Sequence, residues 1–217
     1  MLETLNIGRE SDGQAAPRID RRGARRAATK AEIIDAAWAL VREHGLGALS
    51  LRDLGERVGM RAPSLYQYFP SKHAIYDAMF GQGMREALAA VDAAIDGLDA
   101  RTALRTQARV IFEFATSDPA RAQLLFQRTI PGFEPSPESY APALELSERL
   151  QTSLLAAGIT DPDAMDLCTA LVSGLINQQL ANDPGGERWA RLVDRTVDMF
   201  FASVAPAASA PKKRSPR

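Results

Sequence analysis

The sequence contains a single cysteine, Cys168, and only two histidines, His44 and His73, among 217 residues. One cysteine cannot form an internal disulfide, and on an apolar helix face it is interpreted as core packing, with a redox sensor as the alternative. The chain also lacks a G-x-S-x-G elbow, an H-E-x-x-H helix and a Walker glycine loop. These absences argue against an enzyme, and we expect neither a metal site nor a cofactor.

Long apolar runs are absent as well. No stretch of about eighteen apolar residues occurs, as a membrane-spanning helix would require, and the first sixteen residues are polar and mixed. We therefore expect no signal peptide, no membrane partner and a cytoplasmic protein. The length and the 46% of hydrophobic residues allow a sizeable core.

Charge is unevenly distributed along the chain. Residues 17–80 carry eleven Arg and Lys against seven Asp and Glu, whereas residues 81–205 carry ten against seventeen. Five arginines crowd residues 18–26 of the segment 1–28, for which we predict a flexible basic arm that follows phosphates or enters a minor groove. A solvated linker is the alternative. The arginines are Arg18, Arg21, Arg22, Arg25 and Arg26.

The C-terminal segment 206–217 is also basic, but it is rich in Pro and Ser and follows an Ala/Ser stretch. It is predicted to be a disordered tail, and an auxiliary attraction to DNA is a second possibility.

Residues 50–72, SLRDLGERVGMRAPSLYQYFPSK, predict two short helices separated by a tight turn. Ser50 is a suitable N-cap, Gly59 can end the first helix in the left-handed conformation, and Pro63 suits the first turn of the second helix. The second helix is too short to be stable alone, so Leu65 and Phe69 must anchor it by packing. A helix-turn-helix places such a helix in a DNA groove.

The flanking residues indicate one helix on each side of this motif. Thr29-Lys30-Ala31-Glu32 has the pattern of a capping box, which predicts that the first helix begins at Thr29. Pro70 and Ser71 break and recap the chain, and a long amphipathic helix is predicted from Lys72 onward.

Residues 29–80, TKAEIIDAAWALVREHGLGALSLRDLGERVGMRAPSLYQYFPSKHAIYDAMF, resemble the DNA-binding head of TetR-like one-component transcriptional repressors. The element Leu65-Tyr66-Gln67-Tyr68-Phe69 followed by Pro-Ser-Lys is the most specific part of the resemblance. Tyr68 stands where many relatives have histidine.

The resemblance implies an all-α fold of about nine helices in total. A three-helix DNA-binding head with the helix-turn-helix lies in residues 29–80. A fourth helix starts near the end of this range and continues into a helical effector-binding and dimerisation domain at 81–205. The implied function is binding of a palindromic DNA operator as a homodimer, with release by a small effector. Whether the regulator represses or activates is left open, with repression as the expectation.

Ten residues are implied to contact DNA. Arg52, Arg61, Ser64 and Gln67 could read bases, Ala62 and Pro63 could contact thymine methyls, and the others could hold phosphates. For Arg52 the alternative is a surface pair with Asp53 or Glu56, and for either tyrosine it is a structural role. The set is Ser50, Arg52, Arg61, Ala62, Pro63, Ser64, Tyr66, Gln67, Tyr68 and Lys72.

The last two predicted helices each carry an apolar stripe, and the first of them also carries small residues suited to close helix approach. By resemblance these helices would form a four-helix dimer interface, with an ordinary monomer core as the alternative. The predicted interface residues are Ala170, Ser173, Gly174, Asn177, Val193, Val197 and Phe200.

Relatives surround an effector cavity with their helices 4 to 7. The mix of residues there predicts a medium-sized, mostly apolar effector, although aromatic residues at helical spacing can equally be core. The predicted lining is Phe112, Phe126, Phe133, Tyr140 and Gln127, with Phe114, Gln107 and Gln123 as further candidates.

Two other functions compete with that of an effector-controlled regulator: an architectural DNA binder without an effector, and an all-α enzyme.

Overall fold

The computed structural model describes residues 21–204, apart from the side chain of Ala62. This part of the chain is all-helical, as predicted, with nine α-helices, two short 3-10 turns and no strand. The helices are α1 Arg21–His44, α2 Leu51–Arg57, α3 Ala62–Tyr66, α4 Lys72–Ile95, α5 Ala100–Thr116, α6 Pro119–Phe126, α7 Pro137–Ala156, α8 Ala164–Asn182 and α9 Val193–Val204. The 3-10 turns are Leu46–Ala48 and Ala190–Leu192.

Helix α1 begins at Arg21, so the predicted start at Thr29 is wrong. The Thr29 hydroxyl donates to the carbonyl of Arg25 at 3.1 Å inside the helix, and it does not cap a helix end. Alanine and arginine favour the helix, and nothing between 21 and 29 stops it. The flexible-arm prediction is therefore wrong for residues 21–28, while Arg18 and the predicted tail at 206–217 lie outside the described residues.

Helices α1 to α4 share one core, to which α6 contributes Leu124 and Leu125. Ile33, Leu54 and Leu65 have no exposed surface in this cluster. Tyr76 of α4 closes it by donating its hydroxyl to the carbonyl of Leu46, and burial raises the pKa of Tyr76 to about 12. This hydrogen bond thus joins the first 3-10 turn to the first part of α4.

Helix α4 lies at the centre of the molecule and packs along α5 and α7. Two glycines allow close approach: a Cβ at Gly83 would lie 2.9 Å from Leu125 Cδ1, and one at Gly81 would lie 3.0 Å from Ser139 Oγ. These distances are shorter than an ordinary van der Waals contact of about 3.5 Å. The absence of side chains at both positions therefore sets how near α6 and α7 come to α4.

The N-terminus of α7 is fastened to α4 by Asp77. Its carboxylate accepts hydrogen bonds from the Ser136 amide at 2.6 Å, the Ser136 hydroxyl at 2.9 Å and the Ser139 hydroxyl at 2.9 Å. A carboxylate at a helix N-terminus is also favoured by the helix dipole. This group therefore joins the two longest elements that meet in the body.

A second core lies between α5, α8 and α9 and includes Leu104, Phe112, Ile176 and Phe200. Arginines on α5 pair with aspartates on α9 at its edge. The Arg109 Nε lies 2.6 Å from Asp194 Oδ1, and this hydrogen bond holds the pKa of Asp194 below its usual range. These ion pairs thereby hold α9, the last described helix, against α5.

Polar contacts also join α1 to the rest of the molecule. Trp38 Nε1 donates to Gln82 Oε1 on α4 at 2.9 Å, and Arg42 Nε donates to Asp118 Oδ2 at 2.8 Å. Asp118 caps α6 by accepting from the Arg121 amide at 3.1 Å. Helix α6 is therefore in direct contact with the helix-turn-helix region through its first residues.

Candidate nucleic-acid interface and interior cavity

The turn between α2 and α3 has the predicted geometry. Ser50 accepts a hydrogen bond from the Asp53 amide at 3.1 Å, and Gly59 has a φ of 66°, which a glycine adopts at little cost. Pro63 lies in the first turn of α3, where its missing N–H leaves no bond unmade. The predicted N-cap at Ser50, the end of the first helix near Gly59 and the position of Pro63 in the first turn of α3 are confirmed.

Helix α3 is only five residues long, and packing holds it in place. Leu65 is fully buried and Phe69 is 4% exposed, both in the core that α1, α2 and α4 share. The anchors that the sequence indicated are therefore the residues that fix the orientation of α3.

The opposite face of α3 is exposed and polar. Arg61, Pro63, Ser64 and Gln67 are exposed, and Tyr66 is 51% exposed. Apart from Pro63, these side chains have donors or acceptors that suit base edges and phosphates. Ala62 belongs to the predicted set, but its side chain is outside the described residues.

Arg26 braces the C-terminal end of α3. Its guanidinium donates to the Gln67 carbonyl at 2.6 Å and lies 5.1 Å from the centre of the half-buried Tyr68 ring. The sequence placed Arg26 in an arm and gave no sign of this contact. The helix-favouring residues Ala24 to Ala28 were the one signal that could have indicated it, because they extend α1 toward Arg21.

Arg52 has the partner that its alternative interpretation named. Its Nε lies 3.1 Å from Glu56 Oε1, one turn along α2, while 85% of its side chain is exposed. An exposed pair of this kind contributes about 0.3–0.5 kcal/mol. Such a pair is weak enough for a stronger acceptor to displace Glu56.

Lys72 is the first residue of α4 and has two contacts within the chain. Its Nζ donates to the Gly47 carbonyl at 3.1 Å and lies 5.5 Å from the centre of the Tyr76 ring. The ammonium group thus bridges α4 and the first 3-10 turn, and two of its three protons remain for another acceptor.

A cavity of about 860 Å3 lies in the body, bordered by α4 to α8 and by the segment 127–136. Phe126, Gln127, Phe133 and Tyr140 of the predicted lining border it. Phe112 does not: it is 3% exposed and packs in the core with α8 and α9, so its assignment is corrected. Of the further candidates, Gln107 borders the cavity and Phe114 and Gln123 do not.

Most of the lining is apolar and was missed from sequence, since core and cavity residues follow the same periodicity. Cys168 also borders the cavity, and burial raises the pKa of its thiol to about 11. At the end of α6, Gln127 Nε2 donates to Asn177 Oδ1 of α8 at 2.9 Å. The missed apolar residues include Met84, Leu104, Ile111, Leu144, Leu150, Val172 and Ile176.

The predicted dimer residues fall into two groups. Ala170, Gly174 and Asn177 are exposed on α8, and Ser173 is half-buried beside the cavity. Val193, Val197 and Phe200 are at most 4% exposed within the single chain, so the prediction that they face a partner is wrong. These three side chains of α9 pack in the core of the body. Leu167 of α8 and Met199 of α9, which the predicted set does not include, are 40% and 61% exposed.

Across residues 21–204, no three His, Cys, Asp or Glu side chains lie close enough to hold a metal ion. None of the helices α1 to α9 is long and apolar enough to cross a membrane.

Comparison with known proteins gives one family and several relatives. The sequence profile described as "Bacterial regulatory proteins, tetR family" matches residues 33–79. The Tetracycline repressor protein class A from transposon 1721 of Escherichia coli is 30% identical over 163 residues, which are 72% of this chain and 69% of that protein. An HTH-type transcriptional regulator of Mycobacterium tuberculosis is 26% identical over 149 residues, 67% of this chain. The match spans 64% of the length of that regulator.

Solved structures share the fold. A putative regulatory protein superposes with a TM-score of 0.71 at 22% identity, covering 83% of this chain and 98% of that one. A TetR variant from Acinetobacter baumannii in complex with minocycline superposes with a TM-score of 0.58 at 22% identity, covering 80% and 94%. At these identities the likeness shows the fold alone.

Proposed function

The chain belongs to the TetR family of bacterial regulatory proteins, and from this premise we propose that it is a one-component transcriptional regulator. It binds a palindromic operator as a homodimer and represses transcription, and a small, mostly apolar effector releases it. The observation that carries the proposal is the exposed polar face of α3, held on the buried anchors Leu65 and Phe69.

Each head would read one half-site. Arg61 and Gln67 are exposed and can form paired hydrogen bonds with guanine and adenine. Ser64 can also bond to a base edge, while Tyr66 would reach a phosphate. Arg52 would exchange Glu56 for a base or phosphate. Ala62 and Pro63 would contact thymine methyls.

Selection of bound DNA from a random pool tests the proposal. We expect a two-fold symmetric consensus whose half-site centres are about 10 base pairs, or a multiple of that, apart. Recovery of unrelated sequences with one common affinity would indicate an architectural binder without an operator.

Lys72 provides a test of the phosphate contact. Replacing Lys72 with alanine should weaken binding to every sequence and reduce the slope of log affinity against log salt by about one unit per protomer. Titrations by fluorescence anisotropy at several salt concentrations measure the slope. Arg85→Ala, which removes an exposed arginine farther along α4, is the control and should leave the slope as in the unmodified protein.

Dimerisation would use the exposed face of α8. Ala170 and Gly174 lie one turn apart there and permit close approach of a second helix, and the exposed Leu167 adds apolar surface. A two-fold axis beside α8 would pair this face with itself. The C2 symmetry of such a dimer would match a palindromic operator.

Gly174→Arg tests the interface without disturbing the fold. Apart from its chain neighbours and the nearby backbone of α8, no described atom lies within 4 Å of a Cβ placed at Gly174, so a larger side chain meets open space in the single chain. We expect the variant to keep its helical circular dichroism spectrum but to sediment as a monomer at micromolar concentration, whereas the unmodified chain sediments as a dimer. A variant that still sediments as a dimer would exclude this face.

The cavity supports an effector-controlled regulator over an architectural binder. Its volume lies within the roughly 300–1,000 Å3 of small-molecule sites. The name of the Escherichia coli relative includes tetracycline, and the Acinetobacter protein with the same fold was solved in complex with minocycline. An effector would act by favouring the pose of α4 that separates the two heads, and only through its differential affinity for that pose.

The lining of the cavity is in contact with α4 near the head. Phe133 borders the cavity, and its ring centre lies 5.9 Å from that of Tyr76 and 6.0 Å from that of His73. His73 follows Lys72 directly. A ligand that displaces Phe133 would therefore disturb the turn of α4 that carries the proposed phosphate contact.

A further inference from the structure

We propose that the cavity takes an uncharged molecule with an apolar body and one hydrogen-bonding polar group, such as a hydroxyl or an amide, and that Gln107 recognises this group. The inference rests on the proposed function only in treating the cavity as a ligand site. It adds the chemical class of the ligand and the residue that selects it.

Gln107 is a buried polar side chain without a partner. It lies on α5, is 5% exposed and borders the cavity, and its Oε1 has no hydrogen-bond partner within residues 21–204. Its neighbours on this face of α5, Leu104, Ala108 and Ile111, are apolar. Folded proteins leave few buried carbonyls unpaired, and a glutamine amide can both accept and donate. A polar group of a ligand would satisfy it.

Another buried glutamine shows what a structural role looks like in this chain. Gln179 is 2% exposed, its Nε2 donates to the Gly186 carbonyl at 3.0 Å, and its Oε1 accepts from the Trp189 amide at 3.0 Å. Gln179 is therefore saturated by the loop that it holds. Gln107 has comparable burial, but its carbonyl is unpaired within residues 21–204 and its side chain borders the cavity, so a rotation of the amide would present a polar atom to a ligand.

The charges around the cavity exclude an ionised ligand from its interior. Of the lining residues, only Arg128 and Glu134 carry a formal charge, and both are exposed on the segment that follows α6. Their charges are opposite. The thiol of Cys168 stays protonated, since burial raises its pKa to about 11. A carboxylate or ammonium group beside Gln107 would lose its hydration without gaining a counter-ion.

The test uses the full-length protein and three probes of equal chain length: 1-decanol, decanoate and decylamine, below their micelle concentrations. Cys168 is the single cysteine and borders the cavity, so its protection from alkylation, read by peptide mass, reports occupancy of this site. Because the raised pKa leaves little thiolate at neutral pH, the labelling uses iodoacetamide for several hours at about pH 9, where decanoate and decylamine remain charged. We expect decanol to protect Cys168 at a concentration at least about tenfold lower than either charged probe. Equal or stronger protection by decanoate, lost in Arg128→Ala, would overturn the proposal by placing a charged head at Arg128.

Two substitutions test Gln107 itself. Gln107→Leu removes the amide while keeping most of its volume, and we expect it to weaken decanol about tenfold while leaving naphthalene, which has no polar group, unchanged. Gln107→Glu should shift the preference from decanol toward decylamine. The control, Gln123→Leu, alters an exposed glutamine of α6 outside the lining and should leave all probes unchanged. Decanol binding that is the same in all three variants overturns the role of Gln107.

Operator binding, measured separately, distinguishes failure of this inference from failure of the proposed function. Gln107-dependent protection by decanol without any change in operator affinity would uphold the ligand class and remove the effector step. A protein that binds its operator but shows no Gln107-dependent binding of a neutral probe would keep its function and lose this inference.

Discussion

Leu65→Ala is expected to lower the free energy of unfolding by about 2–5 kcal/mol, the range for large-to-small changes in a packed core. Leu65 is fully buried and is the side chain through which α3 is held against α2 and α4. A helix of five residues is not stable alone, so loss of this anchor also disrupts α3 and the exposed polar face that it carries. Operator binding should disappear with it.

Urea unfolding followed by circular dichroism measures the loss of stability, and anisotropy measures operator binding. Tyr66→Ala is the matched control because it alters the next residue of the same helix, whose side chain is 51% exposed. It should change stability by no more than about 0.5 kcal/mol while weakening binding. If Leu65→Ala kept both its stability and its affinity, α3 would have to be held by contacts other than this core.

Asp77→Ala should destabilise the protein by roughly 2–4 kcal/mol, since hydrogen bonds to a charged group are worth more than neutral ones and three donors lose their acceptor together. The donors are the amide and hydroxyl of Ser136 and the hydroxyl of Ser139. We further expect effector response to fall, because residues 136–139 follow directly on the segment that borders the cavity. Thermal unfolding and ligand-dependent operator release provide the two measurements.

Asp92→Ala is a close control, since Asp92 also joins α4 to α7. Its carboxylate lies 2.8 Å from Arg149 Nε, but the two side chains are 42% and 39% exposed. An exposed pair of this kind contributes little to stability because solvent screens it, so this variant should unfold almost as the unmodified protein does. Equal losses in Asp77→Ala and Asp92→Ala would contradict the special role of the Ser136 and Ser139 contacts.

Local chemistry predicted the helix-turn-helix well. The Ser50 cap, the positive φ of Gly59 and the placement of Pro63 each depend on a few neighbouring residues, so the sequence contains them fully. The start of α1 was predicted wrongly because a capping pattern marks the start of a helix only where the preceding residues are not already helical. Thr29 has the pattern of a cap, but a favourable helical run precedes it and continues through it.

The body was predicted less accurately because periodicity defines an apolar face without naming what covers it. Phe112 and Ile111 are adjacent on α5 and point about 100° apart. Ile111 borders the cavity, whereas Phe112 packs against α8 and α9. In the same way, the apolar face of α9 covers the protomer's own core, and only the packed structure shows that Val197 has no surface to offer a partner.

Helix α4 spans 24 residues, and this length converts a small tilt at one end into a larger displacement at the other. At 1.5 Å per residue it is about 36 Å long, so a tilt of about 5° about one end displaces the other by about 3 Å. That distance is comparable to the length of a hydrogen bond. Under the proposed function, a change at the body end too small to rearrange the core would therefore move Lys72 from within reach of a phosphate to beyond it. The stiffness of α4 would then matter as much to control as the affinity for a ligand.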